Sequence, residues 1–330
     1  MKKIVVIGSN SFSGSDFIDN ALTDTNYEIH GVSRSPEKTS LFLPYKENAN
    51  RNRFTFHQMD LNQNMMELKK FLLDIKPEYI INFAAQSEVA PSWEHPDQWF
   101  LTNAVAIARL GNLLKDQSWL ERYVQISTPE IYGTCEGFVS ESAPMNPSTP
   151  YAASKAAGDL MLQTLVKNYE FPLVTIRSTN VYGAHQQLFK IIPRSMIYQK
   201  LGKRIPLHGG GRAVKSFIHI RDISRGELSA LEKGVDGNIY HLSPDQGISI
   251  HDLVQKICTL TGHSFIEAVE IVEERPGQDL AYTLNSSKAR DQLGWQPVID
   301  IDTGLHQVYD WINHEWDNIL ISPKDYQHKE

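Results

Sequence analysis

The stretch Lys3-Ile4-Val5-Val6-Ile7-Gly8-Ser9-Asn10-Ser11-Phe12-Ser13-Gly14 decides the fold. Its apolar run has the length and β-branched content of a buried strand, and it stops at a glycine. The basic start Met1-Lys2-Lys3 precedes a run too short for the apolar core of a secretion signal, so the segment reads as structure and a cytoplasmic location is expected. Strand, glycine-bearing turn and helix, in that order, aim backbone N–H groups and the positive end of the helix at one point, which suits a pyrophosphate. Taken alone, a plain tight turn into a helix explains the loop equally well.

The same alternation continues downstream. Glu28–Ser33, Phe54–Gln58, Tyr79–Phe83, Arg122–Ser127 and Leu173–Arg177 read as further strands after Lys3–Gly8. Amphipathic segments such as Asp16–Leu22, Met65–Ile75 and Trp99–Lys115 lie between them. Parallel strands joined by right-handed helical crossovers give an α/β fold with a doubly wound sheet. After Tyr182-Gly183 the pattern loosens, which predicts a smaller C-terminal α/β substrate-binding region. The expected division is 1–178 plus about 217–242 for the dinucleotide-binding domain, and 179–216 with 243–330 for the other. A helix over Tyr309–Trp316 and a frayed polar tail close the chain.

Composition narrows the partners. A chain of 330 residues, 41% hydrophobic and 22% charged, can bury a full core. Its net charge of -7 argues against a nucleic-acid backbone, which needs clustered Lys and Arg. No run approaches the roughly 20 apolar residues of a membrane span. Cys135 and Cys258 form no disulfide framework, and the 12 histidines have no metal-ligand spacing, so no metal is expected.

Two further patterns bear on chemistry. The second strand ends in Ser33-Arg34, where an NAD-specific site places an acid for the ribose 2′-hydroxyl. Without the acid and with an adjacent guanidinium, the sequence favours NADP over NAD, although Arg34 also reads as a solvated loop charge. Asp60-Leu61, closing the third strand, falls where related folds meet the adenine. Tyr151-Ala152-Ala153-Ser154-Lys155 puts a phenol and an ammonium on one helical face, after a strand that ends in Ser127-Thr128. An ammonium beside a phenol stabilises the phenolate, bringing a group of reference pKa about 10 toward use as a base.

Agreement spread over nearly the whole chain resembles the extended short-chain dehydrogenase/reductases that act on nucleotide sugars, particularly dTDP-glucose and GDP-mannose 4,6-dehydratases. It is carried by Asn82-Phe83-Ala84-Ala85-Gln86-Ser87, Ser127-Thr128-Pro129-Glu130-Ile131-Tyr132-Gly133, Tyr151 to Lys155, Arg177-Ser178-Thr179-Asn180-Val181-Tyr182-Gly183, Arg275-Pro276-Gly277-Gln278-Asp279 and Leu293-Gly294-Trp295-Gln296-Pro297. The resemblance implies a Rossmann sheet holding NAD(P) through Gly8, Ser11, Phe12, Gly14, Ser33, Arg34, Asp60, Leu61, Ala84, Ala85, Tyr151 and Lys155. Ser11 replaces the family's middle glycine, with some loss of tolerance for positive φ. Catalysis is implied for Thr128, Glu130, Tyr151 and Lys155, with Glu130 as the base at carbon 5 of the sugar. Pro129 departs from the aspartate that serves the dTDP-glucose enzymes as acid. Ser87, Asn180, Lys190, Lys215 and Arg275 are the implied substrate contacts, with Lys215 in place of a usual arginine. Relatives pair through helices equivalent to Trp99–Lys115 and Ala152–Asn168, so a homodimer is expected. The alternatives are a decarboxylase or epimerase of the same family, or a Rossmann binding protein that has lost catalysis.

Overall fold

The computed structural model describes residues 1–135, 137–273 and 283–328. The first half runs β1 (Lys3–Ile7), α1 (Phe12–Asp24), β2 (Glu28–Ser33), β3 (Phe54–Gln58), α2 (Met65–Ile75) and β4 (Tyr79–Asn82). Then come α3 (Val89–Glu94), α4 (Pro96–Phe100), a π-helical turn over Leu101–Val105, α5 (Ala106–Leu114), β5 (Arg122–Ile126), β6 (Phe138–Val139), α6 (Pro150–Tyr169) and β7 (Leu173–Ser178). The second half continues with β8 (Asn180–Tyr182), α7 (Ile191–Lys200), β9 (Ile205–His208), β10 (Val214–Lys215), β11 (Phe217–His219), α8 (Ile220–Lys233) and β12 (Ile239–Leu242). It ends with β13 (Ile248–Ser249), α9 (Ile250–Thr261), α10 (Phe265–Ala268), β14 (Val269–Val272), β15 (Thr283–Leu284), α11 (Ser287–Leu293), α12 (Ile301–His314) and α13 (Trp316–Ile321).

Seven parallel strands form the main sheet in the order β12-β7-β5-β4-β1-β2-β3. Alternation along β1 sends Ile4 and Val6 to one face and Val5 and Ile7 to the other, so both faces need cover. α1 and α8 cover the first face through Phe17, Ile18, Ile223 and Leu231; α2, α5 and α6 cover the second through Leu68, Ile107 and Leu162. A separate core around Met196, Leu253, Leu305 and Trp311 holds the C-terminal region together. The strand order reverses between β1 and β4, which leaves a crevice at their carboxyl ends.

Two sequence expectations change here. The helix expected over Tyr309–Trp316 is instead two, α12 and α13, and α12 begins at Ile301 because the Asp300 carboxylate accepts the Thr303 N–H (2.7 Å) and starts the apolar repeat Leu305, Val308, Ile312. Beyond α13, residues 322–328 are docked and not frayed. The Tyr326 hydroxyl meets His328 Nδ1 (3.1 Å), and His328 Nε2 meets Gln98 Oε1 (2.7 Å).

Candidate active site

Gly8 has φ +86, and a Cβ there would lie 2.7 Å from Ala84 N, so the turn out of β1 requires glycine and brings it against the end of β4. Ser11 needs no such freedom. It sits in extended backbone (φ -75, ψ 161), and its hydroxyl accepts the Gly14 N–H at 3.0 Å as the cap of α1. The expected cost of replacing glycine at Ser11 is therefore absent. The N–H groups of Phe12 and Ser13 remain in the first turn for an anion.

A cavity of about 330 Å³ opens at this point, lined by Gly8, Ser11, Ser33, Arg34, Asp60, Leu61, Ala84 and Ala85 among others. Strand, glycine turn, open helix N-terminus and a crevice at the sheet's reversal fit a nicotinamide dinucleotide. Ser33 Oγ is engaged by the Asn10 N–H (3.0 Å), while Arg34 and Lys38 line the wall beside it. Asp60 also makes an ordinary turn, accepting the Asn62 N–H at 2.7 Å, as it faces the same cavity. Lys38, Phe189 and Tyr326 are lining residues that sequence reasoning missed. Lys38 lies four positions past Arg34, a visible basic spacing, whereas nothing local marks Tyr326.

α6 carries the second group. Thr149 caps it by accepting the Ala152 N–H (3.1 Å), and Pro150 sets the first turn. Tyr151 and Lys155 then fall on one buried face. The Thr128 side chain hydrogen-bonds the Tyr151 phenol, and Glu130 lies close enough for its charge to be felt there. Thr128 also caps the 3-10 turn Pro129–Tyr132, accepting the Glu130 N–H at 3.3 Å. Burial pushes the Tyr151 phenol up, Glu130 adds to the rise, and the Thr128 hydrogen bond opposes it. Lys155 is pushed down to about 8 by burial, against the pull of Asp159. Its Nζ donates to the Ile126 carbonyl at 2.7 Å. Lys155 therefore spends one of its donors on a backbone carbonyl at the base of the site.

Beneath this face Asp159 Oδ2 accepts from Ser127 Oγ (2.6 Å) and from Arg177 Nη2 (3.0 Å). Arg177 Nη1 donates to the Tyr132 hydroxyl (2.5 Å), which in turn donates to His241 Nε2 (2.8 Å). One buried chain of hydrogen bonds therefore joins the helix of Tyr151, the strand end at Thr128 and the turn that carries Glu130. On the other flank, Asn103 in the π turn bonds Gln86 in both directions (2.9 Å each) and donates to Ser154 Oγ (2.9 Å). A π turn at a functional site re-aims one side chain in this way.

The proposed substrate contacts are only partly gathered. Asn180 and Lys190 line a second cavity of about 190 Å³, and Ser87 lines the first. Lys190 Nζ is paired with Glu88 at 2.6 Å. Lys215 lies on β10 and lines neither cavity. Arg275 lies outside the described residues.

The profile of the family described as GDP-mannose 4,6 dehydratase matches residues 5–308. The dTDP-D-glucose 4,6-dehydratase of Homo sapiens is 28% identical over 329 residues, covering 96% of this chain and 93% of its own length. The dTDP-glucose 4,6-dehydratase of Streptomyces venezuelae, solved with NAD bound, superposes with a TM-score of 0.87 at 27% identity, over 96% of this chain and 98% of its own. A UDP-glucuronic acid 4-epimerase from Bacillus cereus, solved with UDP-glucuronic acid and NAD, gives 0.86 at 26% identity, over 94% and 99%.

Proposed function

This chain belongs to the GDP-mannose 4,6 dehydratase family, and on that premise we propose that it is a nucleotide-sugar 4,6-dehydratase forming a 4-keto-6-deoxy sugar. The observation that carries the reading is Glu130 beside the Thr128–Tyr151 pair. Hydride exchange at carbon 4 alone needs the phenol; a carboxylate at the same face supplies the second base that elimination requires.

Tyr151, hydrogen-bonded by Thr128, accepts the proton of the sugar's 4-hydroxyl as carbon 4 is oxidised. The new ketone acidifies the hydrogen on carbon 5, and Glu130 takes it. The carbon 6 hydroxyl then leaves as water, and Pro129 cannot supply the proton for it, so another group must. A bound nicotinamide dinucleotide would serve as hydride acceptor at carbon 4 and hydride donor at carbon 6, ending in its starting state, while Glu130 returns a solvent-exchanged proton to carbon 5. Lys155 holds the dinucleotide's end of the site. Asn180 and Lys190, with Lys215, hold the diphosphate, which must draw Lys190 from its pair with Glu88.

The cofactor is NADP in preference to NAD. This rests on β2 ending at Ser33 and on Arg34 and Lys38 lining the cavity beside it, a cationic corner for a 2′-phosphate. Arg34→Ala is expected to weaken NADP binding about tenfold or more while leaving NAD binding nearly unchanged, in keeping with loss of a charge-assisted contact. Equal effects on the two would overturn the preference. The protein works as a homodimer in the cytoplasm. Support for the dimer is the exposed apolar set Phe100, Leu101, Val105 and Leu160 on neighbouring helices; none of the described helices is long and apolar enough to cross a membrane.

The test of the reaction is incubation with a panel of nucleotide sugars in deuterium oxide. The expected product is lighter by one water and carries deuterium at carbon 5. Loss of carbon dioxide, or isomerisation at unchanged mass, would replace this reading with decarboxylation or epimerisation.

A further inference from the structure

The last residues of the chain stand where the preceding sequence gives no reason to find them. α13 belongs to the C-terminal core through Ile319, which is fully buried. From Ser322 the chain crosses to the opposite wall of the cleft and reaches α4 at His328. There the His328 ring stacks on His95 (centroids 5.0 Å apart, planes at 7°) and on Trp99 (5.5 Å, 9°). His328 Nε2 donates to Gln98 Oε1 at 2.7 Å, leaving Nδ1 to accept from the Tyr326 hydroxyl at 3.1 Å. These partners satisfy both ring nitrogens of a neutral imidazole in one tautomer. Tyr326 rests edge-on against Phe189 at 5.6 Å, next to the Lys190–Glu88 pair that closes the same rim.

This crossing runs over the cavity assigned to the dinucleotide. Tyr326 and Gln327 line that cavity together with Gly8, Arg34, Asp60 and Ala84. We infer that the C-terminal tail is a component of the cofactor site, with Tyr326 and Gln327 facing the dinucleotide and His328 fastening them to α4. The inference rests on the reading of the cavity as the dinucleotide site. Its chemical sense is retention. An enzyme whose cofactor ends each turnover in its starting state gains nothing by exchanging it, and a wall fastened by stacking and hydrogen bonds on both sides of the cleft slows its escape.

The test uses the full chain and three variants, His328→Ala, Gln98→Ala and Tyr326→Ala. The first two undo the fastening from opposite ends and the third removes the lining ring. All three positions are partly exposed, so the fold is expected to persist, as circular dichroism would show. NADP(H) carried per chain after gel filtration, and the rate at which bound NADPH fluorescence is lost to excess unlabelled NADP, are measured with no sugar present. Release at least tenfold faster in His328→Ala and Gln98→Ala, with less cofactor carried, is the expected result. Carboxypeptidase should also trim the wild-type tail more slowly when NADP is present. Wild-type protein that binds the dinucleotide while all variants release it at the wild-type rate would overturn the tail's role alone. Wild-type protein that binds no nicotinamide dinucleotide would overturn the cofactor reading and the tail's role together.

Discussion

At Tyr151 the surrounding residues work against the charge that the first step needs: burial and Glu130 raise the phenol, and only Thr128 lowers it. Tyr151→Phe removes the group assigned to accept the 4-hydroxyl proton, and it should suppress oxidation at carbon 4 and everything after it. Glu130→Gln keeps size and hydrogen bonding but cannot accept the carbon 5 proton. Oxidation should survive there while water loss falls by about a hundredfold or more, in the range of a lost general base. Absorbance at the reduced-nicotinamide band, followed after sugar is added, should build up in Glu130→Gln and stay flat in Tyr151→Phe. Undiminished turnover in Glu130→Gln would make it a structural glutamate. Tyr151 and Lys155 could be paired from spacing, since they are one helical turn apart, whereas Glu130 was singled out by the family resemblance; it shares one short turn with Thr128. Lys38, Phe189 and Tyr326 were not legible, since each enters the cavity through contacts between distant parts of the chain that no spacing encodes. Even at Ser11, the position was read correctly and its conformation was not, because a cap and a left-handed turn demand different backbone and share a preference for small residues.

Among the elements, β2, β3 and α2 have the bounds that periodicity gives, since each is a single alternating or helical run between turn residues. β12 escaped notice as a sheet strand because one of its two buried middle residues is His241, a polar ring whose Nε2 is engaged inside the core by the Tyr132 hydroxyl. The helical stretch expected over Trp99–Lys115 is instead α4, a π turn and α5, and its break turns Asn103 inward toward Gln86 and Ser154. The same break leaves Phe100, Leu101 and Val105 each about 40% exposed, near α6 with Leu160 at 56%. Apolar side chains on adjacent helices that the protein's own core leaves uncovered call for a second copy. Leu160→Glu places a charge in that face at a residue already more than half exposed. Light scattering at micromolar concentration should show a dimer for the wild type and a monomer for Leu160→Glu. A dimer of undiminished stability in the variant would move the interface elsewhere.

Across the whole molecule, the junction of α1 with α8 stores acidic groups that burial holds away from their usual state. Asp16 is raised to about 6 by burial, opposed by Arg221 at 3.3 Å and by the Ser224 hydroxyl at 2.7 Å. Glu227 is fully buried, raised well above 4.5 by burial and by Asp16, and its Oε2 has no hydrogen-bond partner among the described residues. For an acid whose folded value lies above its unfolded one, the folded state binds more protons in between. Stability is then complete below the unfolded value and is lost as pH rises through the folded one. His219 and His241 act in the opposite sense. Burial lowers them to about 4 and about 3, so their contribution is lost as pH falls below 6.5. The two effects overlap in a simple pH titration of the wild type, but a comparison with Glu227→Gln separates them, because the histidines are common to both proteins and cancel. Gln is neutral at every pH, so the melting temperature of the variant relative to wild type should climb as pH rises above the usual carboxylate range. A difference that stays flat with pH would mean that Glu227 does not titrate in this range, and that the buried acids at the α1–α8 junction are held by partners as yet unrecognised.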